Sequence, residues 1–452
     1  MEAFGELKKS SDLKIALYRI YLHSKFPNYT HFCFFQTPLL HSEDQDMDFS
    51  TQIATQLILS EINEKNGNDV LMSPLSINMM LNMVASGSAG ETLDQFLKFL
   101  GSNGIDELSD MSSEVISLLA SNSNRSKPMT TFDYDHSGKK TEEKPPLFSL
   151  TNAMWVDHHC QFKSSFKKIT ETIYKAKVEN VDLVKQAEQV RTDVNSWVEN
   201  ETKGLIRNIL PEGTQLGPPL CLANALYFKG TWEQAFRPSM TKDRNFHLLD
   251  GRTIQAPFVN SHHVYHYYAS NDDFKVLKLR YQRGESNRDK QFSMYMFLPH
   301  KKCGLQDMVE KFNSHTKLLS LEYVNRHMRE VKLSHVSIPK LKFQYDVDAK
   351  KLLKQKGLTL PFSAEDADFS NMVDCGDVYI AFMVHKSCIE VNEVGTEAAA
   401  ATDIGMFYSS PPQINRPPPL PTFVADHPFM FMIVEEFSNL IVFYGAVLHP
   451  QK

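Results

Sequence analysis

Four consecutive alanines flanked by threonines, in Glu393-Val394-Gly395-Thr396-Glu397-Ala398-Ala399-Ala400-Ala401-Thr402, follow directly on a strand-like run from Val378 to Val391. That run is rich in β-branched and aromatic residues, the types that suit a pleated, half-buried surface. Were the chain from Thr396 to become a strand, alternate side chains would share a face. One face would then carry Thr396, Ala398, Ala400, Thr402, Ile404 and Met406, all small or apolar. The other would carry Glu397, Ala399, Ala401, Asp403, Gly405 and Phe407, which leaves both acids on the side able to meet water. The segment therefore reads as a surface loop that can also be buried inside a sheet. An alanine-rich helix is the competing reading, because Ala has the highest helix propensity. These ten residues alone do not separate the two.

Composition removes several alternatives. A formal net charge of −6 and a pI near 6.3 argue against a nucleic-acid binder. No run of 18 or more apolar residues offers a membrane span. The cysteines (Cys33, Cys160, Cys221, Cys303, Cys375 and Cys388) are dispersed, several of them in apolar runs, so neither a disulfide framework nor a zinc site is expected. His158-His159-Cys160 and His262-His263 invite a metal reading, yet no further ligands fall at helpful spacing, and the expectation is no metal and no cofactor. No nucleophile motif, phosphate loop or catalytic carboxylate pair is present.

The coarse element pattern mixes helices and strands. Phe49, Ile53, Leu57 and Ile62 mark an amphipathic helix. Ser73-Pro74 reads as an N-cap with proline at the first helical position, and Leu93 to Leu100 ends at Gly101, a C-cap. Further helices are predicted from Asp106 to Ala120 and from about Ala187 to Thr202. Strands are predicted at Leu147–Val156, Leu220–Lys229, Phe292–Leu298, Val331–Tyr345, Val378–Val391, Phe429–Val434 and Leu440–Leu448. Clusters of both kinds give an α+β class.

Four motifs, in order along the chain, then carry a resemblance. They are Ser73-Pro74-Leu75-Ser76-Ile77; Asn224-Ala225-Leu226-Tyr227-Phe228-Lys229-Gly230-Thr231-Trp232; the segment Glu393 to Thr402; and Phe423-Val424-Ala425-Asp426-His427-Pro428-Phe429. They resemble the corresponding signatures of the serpins, and within them of the plant serpins, from about Asp48 to Pro450. The resemblance implies a serpin fold, with three β-sheets, about eight or nine helices and an exposed reactive-centre loop. It implies a single domain from 48 to 452 with a hinge and loop at 393–422; residues 121–146, polar and ending in Lys144-Pro145-Pro146, read as a surface insertion longer than plant serpins usually have there, and residues 1–47 as a flexible or targeting extension.

Function follows from the same resemblance. Serpin loops insert into their own main sheet after a protease has cut them and formed an acyl intermediate. A strand of about 14 residues at roughly 3.3 Å each spans about 46 Å, and about a dozen new backbone hydrogen bonds with the accompanying burial supply on the order of 10 kcal/mol. The hinge residues are Glu393, Gly395, Thr396, Ala398, Ala399, Ala400, Ala401 and Thr402. Seventeen residues run from Glu393 to Ser409, so family register expects cleavage at Ser409-Ser410, with Tyr408-Ser409 as the alternative. Ser73, Ser76, Asn224 and His385 match the polar cluster beneath which the sheet opens. Trp232, Lys340 and Glu393 match the mouth through which the loop goes in, with Lys340 able to pair with Glu393. The expected partner is a chymotrypsin-like, elastase-like or papain-like endopeptidase, with no nucleic acid and no membrane, and the protein itself is expected to be a monomer and not an enzyme.

Two departures stand against this. Val394 replaces the charged residue usual after the hinge glutamate, and Ser410 to Pro421 is long and proline-rich. They keep open the alternative of a non-inhibitory serpin that acts as a binding or storage protein. Between Leu13 and Ser42 there is no acid, while Lys14, Arg19 and Lys25 are present, a pattern shared by transit peptides and by plain extensions. A standard secretory signal is not supported. The expected compartment is the cytoplasm, with the extracellular space or an organelle as alternatives.

Overall fold

Local chemistry marks the start of one helix and the end of another. The computed structural model describes residues 49–64, 67–119, 146–204, 206–283, 290–396 and 419–450, and among these nine α-helices occur. They are α1 (Phe49–Asn63), α2 (Pro74–Ala85), α3 (Gly90–Leu100), α4 (Ile105–Leu119), α5 (Ser164–Thr172), α6 (Ala187–Glu201), α7 (Leu305–Ser314), α8 (Leu321–His327) and α9 (Ala349–Gln355). The Ser73 hydroxyl accepts the Ser76 N–H at 3.1 Å, and Pro74 occupies the first helical position, where no N–H is needed. Helix α3 ends at Gly101 in the left-handed conformation. Helix α2 is buried along nearly its whole length, consistent with its run Leu75 to Ala85 of mainly apolar residues.

Fifteen strands are described: β1 (Val70–Met72), β2 (Leu147–Asp157), β3 (Lys177–Val181), β4 (Leu220–Thr231), β5 (Lys242–His247), β6 (Thr253–Ser270), β7 (Phe274–Arg280), β8 (Phe292–Pro299), β9 (Arg329–Pro339), β10 (Leu341–Asp348), β11 (Ile380–Val391), β12 (Gly395–Thr396), β13 (Thr422–Val424), β14 (Phe429–Glu435) and β15 (Leu440–Val447). By continuous hydrogen bonding they form two networks. One runs β10-β11-β4-β2-β3, with β12 added on β4. The other runs β1-β15-β14-β8-β7-β6-β9-β13, with β5 added on β6. The 18-residue β6 joins two regions of that second network: its first part pairs with β5 and its last residues with β7, and β9 lies along most of its length.

The predicted run Val331–Tyr345 is in fact two strands in different networks. Lys340 donates its N–H to Pro257 O at 2.8 Å, and the chain passes there from β9 beside β6 to β10 beside β11. Helix α6 lies on one face of the β10-to-β3 sheet. Its Val190, Val194 and Val198 pack with Ala153 and Trp155 of β2, Cys221, Ala223 and Ala225 of β4, and Val384 and Cys388 of β11. Asn224, by contrast, reaches helix α2 on the other face. All described residues fall in one compact unit, Asp46–Lys452. No described helix is long and apolar enough to cross a membrane.

One cysteine expectation is corrected. Cys160 and Cys375 form a disulfide, with their Cα atoms 5.4 Å apart across a sequence separation of 215. Spacing along the chain carries no sign of it, because only the fold brings the turn after β2 against the segment before β11. Around it Lys163 N–H bonds Met372 O at 2.9 Å, and Asp374 N–H bonds Gln161 O at 3.0 Å. Cys221 and Cys388 are buried, and Cys303 is exposed.

Candidate loop-insertion site

Strands β4 and β11 are parallel neighbours, paired from Leu220 with Ile380 to Tyr227 with Cys388. Beyond that point the pair separates, and the chain leaving β11 turns back into the gap. Asn392 makes the turn: its side-chain oxygen accepts the N–H groups of Val394 (3.0 Å) and Gly395 (3.3 Å), and its own N–H bonds Gly395 O at 2.8 Å. Gly395 and Thr396 then form β12, antiparallel to β4, opposite Thr231 and Gly230. The start of the hinge is thus already a short strand on the edge of β4.

Gly395 has to be glycine there. A Cβ at this position would lie 2.0 Å from Gly230 O and 2.6 Å from Thr231 Cα, both backbone atoms of β4. Gly230 is constrained in turn, since its Cβ would lie 2.5 Å from the Tyr281 ring. That ring stacks on Trp232 at 4.4 Å between centroids. Trp232 is 1% exposed; its indole N–H bonds Asn392 O at 3.1 Å and its backbone N–H bonds Val394 O at 2.7 Å. Phe236 N–H holds Glu393 O at 2.7 Å.

The Glu393 carboxylate accepts the Thr241 hydroxyl at 2.6 Å and pairs with Lys340 Nζ at 3.1 Å. Burial alone would raise its pKa, but the Thr241 hydroxyl, its own backbone N–H and Lys340 outweigh that and hold it below the ordinary carboxylate value. The structure therefore brings Trp232, Lys340 and Glu393 to one mouth, and adds Asn392 and Thr241. Val394 contributes its backbone carbonyl to this mouth, a role that side-chain charge does not decide.

Further down the seam Ser73, Ser76, Asn224 and His385 also meet. The Ser76 hydroxyl donates to Asn224 Oδ1 at 2.6 Å, and Asn224 Nδ2 donates to Ser76 O at 3.3 Å and to Asn152 Oδ1 at 2.6 Å. Ser73 N–H donates to His385 Nε2 at 3.2 Å, which assigns the ring proton to Nδ1, within 2.5 Å of Asn224 Oδ1. The Ser387 hydroxyl also reaches His385 Nε2, at 2.8 Å. His385 is fully buried, and burial pushes its pKa down to about 3, so the ring is neutral. Asn152, Asn224 and His385 sit side by side on β2, β4 and β11 in ladder register, a polar bar across the strands that would have to part. Asn152 and Ser387 escaped sequence reasoning. Ser387 had a signal, two residues from His385 on the same strand face, whereas Asn152 had none.

Ala398, Ala399, Ala400, Ala401, Thr402, Tyr408, Ser409 and Ser410 lie outside the described residues, as does nearly all of the 121–146 insertion.

Comparison with known proteins places this geometry in a class. The sequence model of the family described as Serpin (serine protease inhibitor) matches residues 45–450. The chain belongs to the serpin family. It is 38% identical to Serpin-ZX of Arabidopsis thaliana over 416 residues, covering 90% of this chain and 98% of that protein. It is 39% identical to Serpin-ZXA of Oryza sativa subsp. japonica over 391 residues, covering 85% and 91%. Among solved structures it resembles that of Arabidopsis AtSerpin1 in its native stressed conformation, with a TM-score of 0.72, 36% identity and coverage of 90% and 100%. The fold is the serpin fold, and serpins are generally protease inhibitors rather than enzymes.

Proposed function

We propose that this protein is a suicide-substrate inhibitor of endopeptidases, which traps its target by inserting the cleaved loop between β4 and β11. The observation that carries the proposal is β12, the antiparallel start of a new strand at the mouth of a parallel pair. Continued down the seam, its register of Gly395 opposite Thr231 and Thr396 opposite Gly230 would set Thr402 opposite Asn224 and Met406 opposite Leu220, the first residue of β4. Cleavage at Ser409-Ser410 then leaves three residues beyond the end of β4, and Tyr408-Ser409 leaves two.

The same register assigns the faces. Thr396, Ala398, Ala400, Thr402, Ile404 and Met406 would share the side of Asn224, toward helix α2 and the core. Small and apolar side chains go there without burying a charge. Thr402 would arrive where Asn224 and His385 are bonded, and its hydroxyl can replace one of the partners the opening sheet gives up. A strand inserted between two others completes ladders on both its edges, and pulling the acyl-enzyme to the far end of the sheet deforms the oxyanion hole that deacylation needs.

Basic-specific proteases are disfavoured, because Arg416 lies beyond both bonds. Ser409 suits a small primary pocket and Tyr408 a chymotrypsin-like or papain-like one. Thermal unfolding before and after cleavage within the loop tests the proposal. Insertion raises the transition temperature greatly, and an unchanged temperature returns the non-inhibitory alternative.

A further inference from the structure

At the other end of β2 a β-turn spans Asp157 to Cys160, closed by Cys160 N–H to Asp157 O at 2.9 Å. Asp157 begins it in the way this residue favours, with Oδ1 accepting the His159 N–H at 3.3 Å. The turn is held from several sides. His158 N–H bonds Val181 O at 2.8 Å, Asp157 N–H bonds Pro219 O at 2.9 Å, Leu183 N–H bonds Asp157 Oδ2 at 3.1 Å, and Cys160 is anchored by its disulfide to Cys375.

His158 and His159 thereby become the two central residues of a fixed turn, and their rings converge. His159 Nδ1 is bonded to Asp157 Oδ1. His158 Nδ1 lies 3.3 Å from the same oxygen and 3.9 Å from Asp182 Oδ1. The three donor atoms of Asp157, His158 and His159 all lie within 4.8 Å of one another. A tetrahedral zinc ion with bonds of about 2.1 Å keeps its ligand atoms about 3.4 Å apart, so the His158–Asp157 spacing is already that of a ligand pair. One carboxylate oxygen facing two imidazole nitrogens as well as a backbone N–H is crowded as a hydrogen-bond acceptor, whereas a single cation satisfies all three side chains at once. The side chains of His158 and His159 are 43% and 73% exposed, which leaves the metal side open to solvent and to a water ligand.

We propose that Asp157, His158 and His159 form a binding site for a late first-row divalent cation such as Zn²⁺, with the Asp182 carboxylate near enough to join or to bond a metal-held water. Two imidazoles with a carboxylate select such ions over Mg²⁺ and Ca²⁺, which take oxygen ligands. The reason for expecting no metal was the lack of ligands at helpful spacing around His158-His159-Cys160. The fold removes Cys160 into a disulfide and supplies Asp157 from the neighbouring position and Asp182 from the end of β3. A bound ion would tie the turn after β2 to the segment that leads into α6.

The test uses tag-free, full-length protein, stripped with chelator and kept free of reductant so that Cys160 stays bridged. Zn²⁺ and, separately, Mg²⁺ are titrated by calorimetry into wild type, His158→Ala, His159→Ala and the double variant. Both histidines are on the surface, so the variants fold. Wild type is expected to hold one Zn²⁺ that each single variant binds at least tenfold more weakly and the double variant lacks, with a rise in thermal midpoint on adding Zn²⁺ in wild type alone. Equal Zn²⁺ binding in wild type and double variant, no Zn²⁺ binding by wild type, or Mg²⁺ binding as tight as Zn²⁺ would each overturn the proposal.

Discussion

Gly395→Ala isolates the first step of loop insertion. The added Cβ would stand 2.0 Å from Gly230 O and 2.6 Å from Thr231 Cα, against an ordinary contact of about 3.5 Å. Relief requires the backbones to separate by more than about 1 Å, and hydrogen bonds tolerate only a few tenths. The bonds from Trp232 N–H to Val394 O and from Asn392 N–H to Gly395 O are the ones lost. At about 1 kcal/mol net each, the seated hinge is destabilised by about 2 kcal/mol. That is a factor of about 30 if seating β12 precedes the rest of the insertion. Cleaved loop then partitions to hydrolysis, so the assay is the stoichiometry of inhibition against a responsive protease. Gly101→Ala serves as the control. It places a side chain at φ +66° at the end of α3, with nothing within 4 Å of the new Cβ, and strains the backbone far from the hinge. The expected result is a stoichiometry raised many-fold in Gly395→Ala and unchanged in Gly101→Ala. Wild-type stoichiometry in Gly395→Ala would refute the idea that β12 starts the insertion.

Other consequences are open to measurement. Because the folded pKa of His385 is pushed down to about 3 from the usual 6.5, its contribution to stability is present above pH 6.5 and is lost as pH falls from there toward 3. Denaturant titration should show about 2 kcal/mol lost from this group between pH 7 and 5, and His385→Gln should flatten that slope; equal slopes would count against the neutral buried ring. Asn224→Ala strands the Ser76 hydroxyl and the His385 ring N–H, and should cost about 2–4 kcal/mol of native stability by the same titration. Lys340→Ala breaks a half-exposed ion pair and should lower stability by no more than about 1 kcal/mol, with a difference that shrinks in high salt. In the proposed register Asp403 would lie opposite Ala223, on the side packed by α6 rather than the open side that alternation alone suggests, so Asp403→Ala should raise the thermal midpoint of the cleaved form above that of cleaved wild type.

The elements legible in the sequence were those whose cause is local. Ser73-Pro74 and Gly101 mark helix ends through chemistry that acts within a turn. The start of the hinge is marked by Gly395 and Thr396, and β12 consists of these two residues. Elements whose cause is distant were not legible. The short helices α5, α8 and α9, of 9, 7 and 7 residues, offer too few turns for a sustained apolar period. The run Val331–Tyr345 looks continuous, and only the bond from Lys340 N–H to Pro257 O shows where it changes sheet. The disulfide spans 215 residues, and Asn152 joins the polar bar because β2 lies beside β4 in a particular register. At the mouth, Thr241 was hidden because it meets Glu393 across a sequence separation of 152, and Asn392 because its carbonyl meets the Trp232 indole across a separation of 160.

The most direct test of the central claim is incubation with chymotrypsin-like, elastase-like and papain-like proteases, followed by denaturing electrophoresis and mass spectrometry of the released C-terminal peptide. Trapping by insertion predicts a protease complex that survives denaturation, with a peptide beginning at Ser410, or at Ser409 for the neighbouring bond. Cleavage in the loop by every protease of the panel, with no stable complex, would contradict it.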